Sequence, residues 1–350
     1  MRIAIGLHDQ NQTQDWKRMI KWTRDYTTEK LSCDGLETVN LAEFVQFVTL
    51  KLSVKYLFKL DDNEWDSGNS QLHQDIVFAG KEINQLWMDS KVSAVCPIWA
   101  DQHDLHQALR NVVGNEINKD PCKPTTNPMN EILPTYETMW RVVLRGLIEV
   151  LRPTKNSSNW QEAFIRFIDS AAQGRDRADQ MNMFRDVNNN DTQISPLDVV
   201  KEILRLYPPT RRIYRQHEGG TKVQVDIEAL HRSILLAPQD PQIFRPERWQ
   251  TLIESWCLKD QKEVKQMTQK EVKHMEEKCG FMPFGLICPS NGGDVKGFGM
   301  KIIAILIGVL CNNLRDGWDL TTLEGLSEPL PLERNELLNI SLHRTNGSIG

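Results

Sequence analysis

Two neighbouring residues and a third one much later in the sequence have the types needed for a buried ion network. Glu202 and Arg205 stand three residues apart in an otherwise apolar segment. On a helix their side chains share a face and can form an ion pair. Arg248 follows in the proline-rich stretch 240–249, beside an aromatic residue. Most such pairs are solvated surface pairs of little energetic value, and that alternative applies to each motif taken alone.

One cysteine has surroundings that suit metal binding. Cys288 precedes a proline within the stretch 281–289, and an apolar segment that begins at Phe298 follows. Backbone N–H groups and the positive end of a helix dipole stabilise a thiolate at such a position. The alternative is a buried, inert thiol, which is the commoner state of a free cysteine.

The order of these motifs resembles the cytochrome P450 family of haem-thiolate monooxygenases. E-x-x-R comes first, then P-E-R-W, then F-x-x-F-G with Cys-Pro and a long apolar helix. The resemblance implies a mainly α fold with small β-sheets, here lacking the family's N-terminal part. It also implies that Glu202, Arg205 and Arg248 form a structural charge triad, and that Cys288 binds the haem iron, for which the family uses a thiolate.

The resemblance points to a further pair, on the family's long central helix. Glu137 and Thr138 match the acid and the alcohol that relay protons to bound oxygen, and Thr138 precedes Glu202 by 64 residues. Pro134 and Thr135 replace the small residues that the family has just before this pair. The alternative is that Thr138 is an ordinary helix residue.

The cysteine loop departs from the family pattern on both sides. The family has a glycine four residues before the cysteine and a basic residue two before it, where this chain has Phe284 and Leu286. The stretch 290–296 resembles an insertion. We therefore expect a cysteine loop of altered length.

The elements that must position these groups follow from hydrophobic periodicity. The pattern predicts helices and a hairpin, and places loops at the proline-rich stretch 120–129 and at 174–193. The predicted helices are 40–58 (capped by Asn40), one or two within 80–118, 136–150, 160–172, 195–206 (opened by Ser195 and Pro196), 258–278 and 298–310, and the predicted hairpin surrounds 221–227, with short strands between 312 and 350.

Composition narrows the class of protein. The chain has 350 residues, 40% of them hydrophobic, and a formal net charge of -5, which gives no electrostatic reason to expect nucleic acid. Its seven cysteines are scattered with no C-x-x-C pair, which argues against a disulfide framework or a zinc ribbon. We read no signal peptide and no transmembrane segment in the sequence.

These observations lead to one functional hypothesis and one alternative. Residues 1–350 would form a single truncated P450-like domain, with a weakly matched helical part (1–132) and a part (133–350) that holds the central helix, triad, cysteine loop and C-terminal β elements. The resemblance implies an oxidase or monooxygenase that acts on a small apolar substrate, with a role in specialised metabolism. Its cofactor would be haem, with electrons from an NADPH-dependent reductase partner, in the cytoplasm or peripherally at the endoplasmic reticulum. The alternative is a degenerate, non-catalytic relative that acts as an interaction or vestigial protein.

Overall fold

The structure is a computed structural model in which the described chain is mainly helical, with small antiparallel sheets. This confirms the predicted fold class at that level. The structure describes residues 12–33, 37–60, 65, 70–92, 96–114, 118–173, 184, 194–216, 220, 222–260, 269–285 and 298–345.

The elements follow one another in a simple order. The helices are α1 Gln12–Cys33, α2 Leu41–Phe58, α3 Ser70–Val92, α4 His103–Val113, α5 Met129–Ile132, α6 Thr138–Leu151, α7 Ser157–Ala172, α8 Pro196–Leu206, α9 Ile227–His231, α10 Arg248–Asp260, α11 Gln269–Lys278 and α12 Phe298–Leu314. A π-helical segment, Leu133–Glu137, leads directly into α6, and 3-10 turns cover Trp99–Asp101 and Thr321–Leu323. The strands are β1 Thr38–Asn40, β2 Arg212–Gln216, β3 Lys222–Asp226, β4 Trp318–Asp319 and β5 Ser341–Arg344.

Helix α12 lies at the centre of the core. It is apolar around most of its circumference, and it packs against α1, α6, α7 and α8. Such a helix is stable only when neighbours cover every side of it. Gly146 on α6 permits the close approach, because a methyl group added there would lie 2.6 Å from Ile203 and 2.7 Å from Ile307. Helices α6, α8 and α12 therefore form one tightly packed unit beneath the candidate site.

The N-terminal helix α1 was not predicted from the sequence. Its mean hydropathy is low because the outward positions are charged or polar, yet the inward ones recur at helical spacing. The buried positions are Trp16, Met19, Ile20, Thr23, Tyr26, Thr27 and Lys30.

Other helix predictions differ from the structure mainly at their ends. Helix α2 begins after Asn40, whose side chain accepts a hydrogen bond from the Glu43 N–H at 2.9 Å, as the sequence indicated. The helical region predicted from residue 80 begins ten residues earlier, at Ser70, because polar residues form its first turns. Within the charged helix predicted over 258–278, residues 258–260 belong to α10 and residues 269–278 form α11, whereas residues 261–268 lie outside the described part.

Both sheets are small and antiparallel. Strands β2 and β3 form the predicted hairpin, with Arg212 opposite Asp226 and Tyr214 opposite Gln224. The other sheet has the order β1-β5-β4, so that Val39 near the N-terminus pairs with Leu342 near the C-terminus. Among the described helices, none combines the length and the apolar character needed to cross a bilayer.

Candidate functional site

Helix α8 begins at a complete capping box. The Ser195 side chain accepts a hydrogen bond from the Asp198 N–H, and the Asp198 carboxylate accepts one from the Ser195 N–H. Pro196 occupies the first helical position, where its missing N–H has no cost. This fixed start sets the rotation of α8, which directs Glu202 and Arg205 inward.

Glu202 is the centre of a buried ion network. The Arg205 guanidinium binds it through two parallel hydrogen bonds, from Nε to Oε2 at 2.9 Å and from Nη2 to Oε1 at 2.8 Å. Arg248, the first residue of α10, donates from Nε to Oε1 at 2.8 Å, and the Trp249 indole donates to Oε2 at 3.1 Å. Glu202 and Arg205 are both 0% exposed and Arg248 is 2% exposed. The structure thus brings together three residues up to 46 positions apart.

The two arginines also hold the segment between α9 and α10. Arg205 donates to the carbonyl oxygens of Pro241 at 2.8 Å and Ile243 at 3.2 Å. Arg248 donates to the carbonyl oxygens of Gln239 at 3.0 Å and of Ile243 at 2.9 Å. Charged groups that are both paired and hydrogen-bonded can be buried without a large penalty. The network therefore fixes a segment that has no regular secondary structure of its own.

His231 connects this segment to Phe281 and Met282, which precede Cys288 in the sequence. Its Nε2 accepts a hydrogen bond from the Met282 N–H at 2.9 Å, which assigns the ring proton to Nδ1. The ring also lies against Phe281, with centroids 5.2 Å apart. Burial lowers the pKa of His231 to about 4, and the nearby charges of Arg205 and Arg232 act in the same direction. The imidazole is therefore neutral and acts as a fixed acceptor.

Cys288 lies outside the described residues, together with the rest of 286–297. The residues on either side of that stretch lie close together. Gly285 adopts a left-handed backbone (φ +69) beside Ile213, and Gly299 packs against the Phe284 ring, where an added methyl would be 3.4 Å away. The loop therefore starts and finishes near the N-terminus of α12.

Glu137 and Thr138 lie at the junction between the π-helical segment and α6. Glu137 is buried, and its Oε1 contacts the guanidinium of Arg334 and, at 3.4 Å, Nε of Arg141. Arg334 also donates to Asn84 at 3.1 Å. The predicted acid is therefore engaged in an ion pair.

Thr138 is half-buried and lines a cleft with about 260 Å³ of empty space, counted to its open mouth. The cleft is formed by the first two turns of α6, the segment after α8, and one residue of the C-terminal segment. Its lining comprises Thr138, Arg141, Val142, Arg145, Tyr207, Pro208, Pro209, Arg211 and Leu332.

A second buried polar group lies at the end of α8. The Tyr207 hydroxyl donates to Glu149 on α6 and accepts from the Leu330 N–H at 3.1 Å. Burial raises the pKa of Glu149 to about 7, although the Tyr207 hydrogen bond and the Arg152 charge oppose that shift. This contact ties the C-terminal segment to the same helices that hold the cleft.

The sequence did not identify several residues that shape the site. Arg141 and Arg145 stand four and eight positions after Glu137, and that helical spacing could have placed them on its face. Arg334 and His231 gave no local signal. Within the described ranges, no group of three or more His, Cys, Asp or Glu side chains could hold a metal ion.

Comparison with known proteins gives no match. No protein-family model matches the sequence, and no curated protein matches it at a significant level. Any functional assignment therefore depends on the motifs and on the geometry described above.

Proposed function

We propose that this chain is a P450-type haem-thiolate protein that oxidises a small apolar substrate, with Cys288 as the iron ligand. The observation that carries the proposal is the fully buried network of Glu202, Arg205 and Arg248. Surface E-x-x-R pairs are common, but a pair with 0% exposure that shares its carboxylate with a distant arginine is not. The bound haem would supply oxygen activation, to which a thiolate ligand contributes electron density.

The proposal assigns the network a role in positioning the cysteine loop. Arg205 holds the segment after α9, and His231, the last residue of α9, accepts from the Met282 N–H. Met282 stands six residues before Cys288. In this proposal, loss of the network would displace the loop before it affects any group in the cleft.

Thr138 and Glu137 would handle protons on the distal side. Thr138 lines the cleft, where its hydroxyl can donate to or accept from a ligand. Glu137 can take part only if its carboxylate exchanges the contacts with Arg334 and Arg141 for a proton. Electrons would come from an NADPH-dependent reductase. A P450-like fold, a role in specialised metabolism, and a cytoplasmic or peripheral endoplasmic reticulum location belong to the same proposal.

A specific observation favours the second candidate, a non-catalytic relative. Glu137 is buried in an ion pair with Arg334, and Pro134 and Thr135 stand where the family has small residues. In this reading the buried network stabilises a protein that has lost the chemistry.

A carbon monoxide difference spectrum separates the two candidates. The full chain is expressed with haem supplied, reduced and exposed to carbon monoxide. The haem-thiolate proposal predicts a red-shifted Soret band that disappears in Cys288→Ser. It predicts an unchanged band in Cys96→Ser, the matched control, because Cys96 is a free, exposed cysteine. A folded chain that takes up no haem, or a band that survives in Cys288→Ser, would refute the proposal.

A further inference from the structure

The cleft beside Thr138 is lined by positively charged side chains. Arg141 and Arg145 reach it from α6, and Arg211 reaches it from the segment after α8. Two of these groups are well shielded, since Arg145 is 4% exposed and the Arg141 side chain is 17% exposed. A pocket for a small apolar molecule has no need of three guanidinium groups.

Arg145 carries a buried charge that no carboxylate of the described residues neutralises. Its guanidinium donates to three carbonyl oxygens, those of Pro331 at 2.9 Å, Glu333 at 3.1 Å and Arg141 at 3.3 Å. In the described part of the chain, no carboxylate oxygen lies within ion-pair distance of it. Burial lowers the pKa of Arg145 to about 10, and the neighbouring Arg141 charge adds to that effect. A buried cation with only dipolar partners is stabilised when an anion approaches.

Arg141 has hydrogen-bond donors that the described residues do not use. Its Nε makes long contacts of 3.4 Å with the Glu137 carbonyl and carboxylate oxygens. No acceptor among the described residues hydrogen-bonds its two terminal nitrogens. The Glu137 carboxylate is shared with Arg334, so that one negative charge serves two guanidinium groups.

The ion pairs of Arg211, the third arginine, do not offset the positive charge of Arg141 and Arg145. Arg211 pairs with Glu228 at 2.8 Å, but Glu228 also binds Arg232 at 2.9 Å. Its other contact, with Glu333 at 3.6 Å, is to a side chain that is 69% exposed, where water weakens the attraction. The groups around the cleft therefore carry a surplus of positive charge.

We propose that this cleft binds the carboxylate of an apolar monocarboxylic acid, with the terminal nitrogens of Arg141 as its main donors. The buried Arg145 adds positive charge to the same cleft. The paired N–H groups of a guanidinium match the two oxygens of a carboxylate. Val142, Leu332 and Pro209 supply the apolar wall for the rest of the ligand. Binding itself does not require haem, and only the identification of the acid as substrate rests on the proposed function.

The test compares a carboxylate with its neutral counterpart on the full chain without added haem. Hexanoate and hexan-1-ol are titrated at constant ionic strength, and binding is measured by calorimetry and by the rise in melting temperature. Hexanoate should bind and hexan-1-ol should bind at least 10-fold more weakly. Arg141→Gln should weaken hexanoate binding roughly 10-fold or more, as expected for loss of charge-assisted hydrogen bonds.

Two further variants control for folding and for general charge. Arg141→Lys keeps the charge but loses the paired donors, so hexanoate should bind it with intermediate affinity. Arg212→Gln removes an exposed arginine outside the cleft lining, and its affinity should equal that of the unmodified chain. Equal binding of acid and alcohol, or unchanged hexanoate binding in Arg141→Gln, would overturn the proposal.

A haem propionate is a second possible source of the carboxylate, and a parallel arm distinguishes it. Uptake of haem is compared with uptake of haem dimethyl ester in both Arg141 variants. Loss of hexanoate binding with unchanged haem uptake assigns the site to a substrate acid. A loss confined to haem and absent for its ester assigns the site to a propionate, and no dependence on Arg141 in either arm rejects a carboxylate site. If the chain takes up no haem, the hexanoate titration still tests the proposal, because it is carried out without haem.

Discussion

Replacing Arg205 with alanine removes the guanidinium that makes two hydrogen bonds to Glu202. It also leaves the carbonyl oxygens of Pro241 and Ile243 without that donor. Breaking a buried ion pair by removing one partner costs about 3–5 kcal/mol. Because Arg248 still binds Glu202, we expect a value near the middle of that range, about 4 kcal/mol.

Thermal and chemical unfolding measure this loss. An unfolding entropy of about 2.1 cal/mol/K per residue over 350 residues gives about 0.7 kcal/mol/K. A loss of about 4 kcal/mol then lowers the melting temperature by about 5–6 °C, if unfolding is cooperative. Urea titration gives the free energy directly, and an unchanged slope of that energy with urea shows that the same surface unfolds.

Two substitutions set the limits of the effect. Arg205→Lys keeps a buried charge but loses the paired geometry, so the loss should be smaller. Arg212→Ala breaks a pair that is exposed on both sides, with its closest atoms 3.5 Å apart, and should cost less than about 0.5 kcal/mol. If Arg205→Ala changes the free energy of unfolding by no more than Arg212→Ala does, the network is not a buried ion pair in solution.

Three further predictions concern packing, capping and pH. Gly146→Ala should destabilise the fold by about 1–3 kcal/mol in urea titration, because its methyl group overlaps two isoleucines. The control Gly325→Ala should not, because the added methyl has no atom of the described residues within 4 Å. Ser195→Ala should cost about 1 kcal/mol by the same measurement through loss of the α8 cap, and no loss would show that the capping box is not formed. The Glu149 pKa of about 7 lies above its usual 4.5. This group therefore contributes about 3 kcal/mol to the free energy of unfolding, which is fully present below pH 4.5 and is lost as the pH rises through 7. The His231 pKa of about 4 lies below its usual 6.5, so its contribution is present above pH 6.5 and is lost as the pH falls through 4. Calorimetry across pH 4–8 measures how the free energy of unfolding depends on pH. Its decrease toward alkaline pH should be smaller in Glu149→Gln, and its decrease toward acid pH should be smaller in His231→Gln. Unchanged decreases would contradict the burial of these groups.

Local patterns in the sequence predicted several elements of the structure. The serine and proline that open α8, the asparagine that caps α2, and the hairpin of β2 and β3 all depend on neighbours within a few residues. Helix α1 was missed because its outward face is so polar that the periodic buried positions did not stand out. The proposal for Cys288 stays a prediction, since that residue lies outside the described part of the chain.

The sequence by itself determined which residues could share a helix face, such as Glu202 with Arg205, because helical spacing is a local property. Only the tertiary structure decided that Arg248 joins them and that Arg334 contacts Glu137 from 197 positions away. It also decided that the Arg145 guanidinium donates to carbonyl oxygens, with no carboxylate of the described residues within ion-pair distance. Such pairings depend on how the helices pack against α12. That packing is set by contacts between segments that are distant in the sequence, and the local pattern of one segment does not show which other segment it contacts.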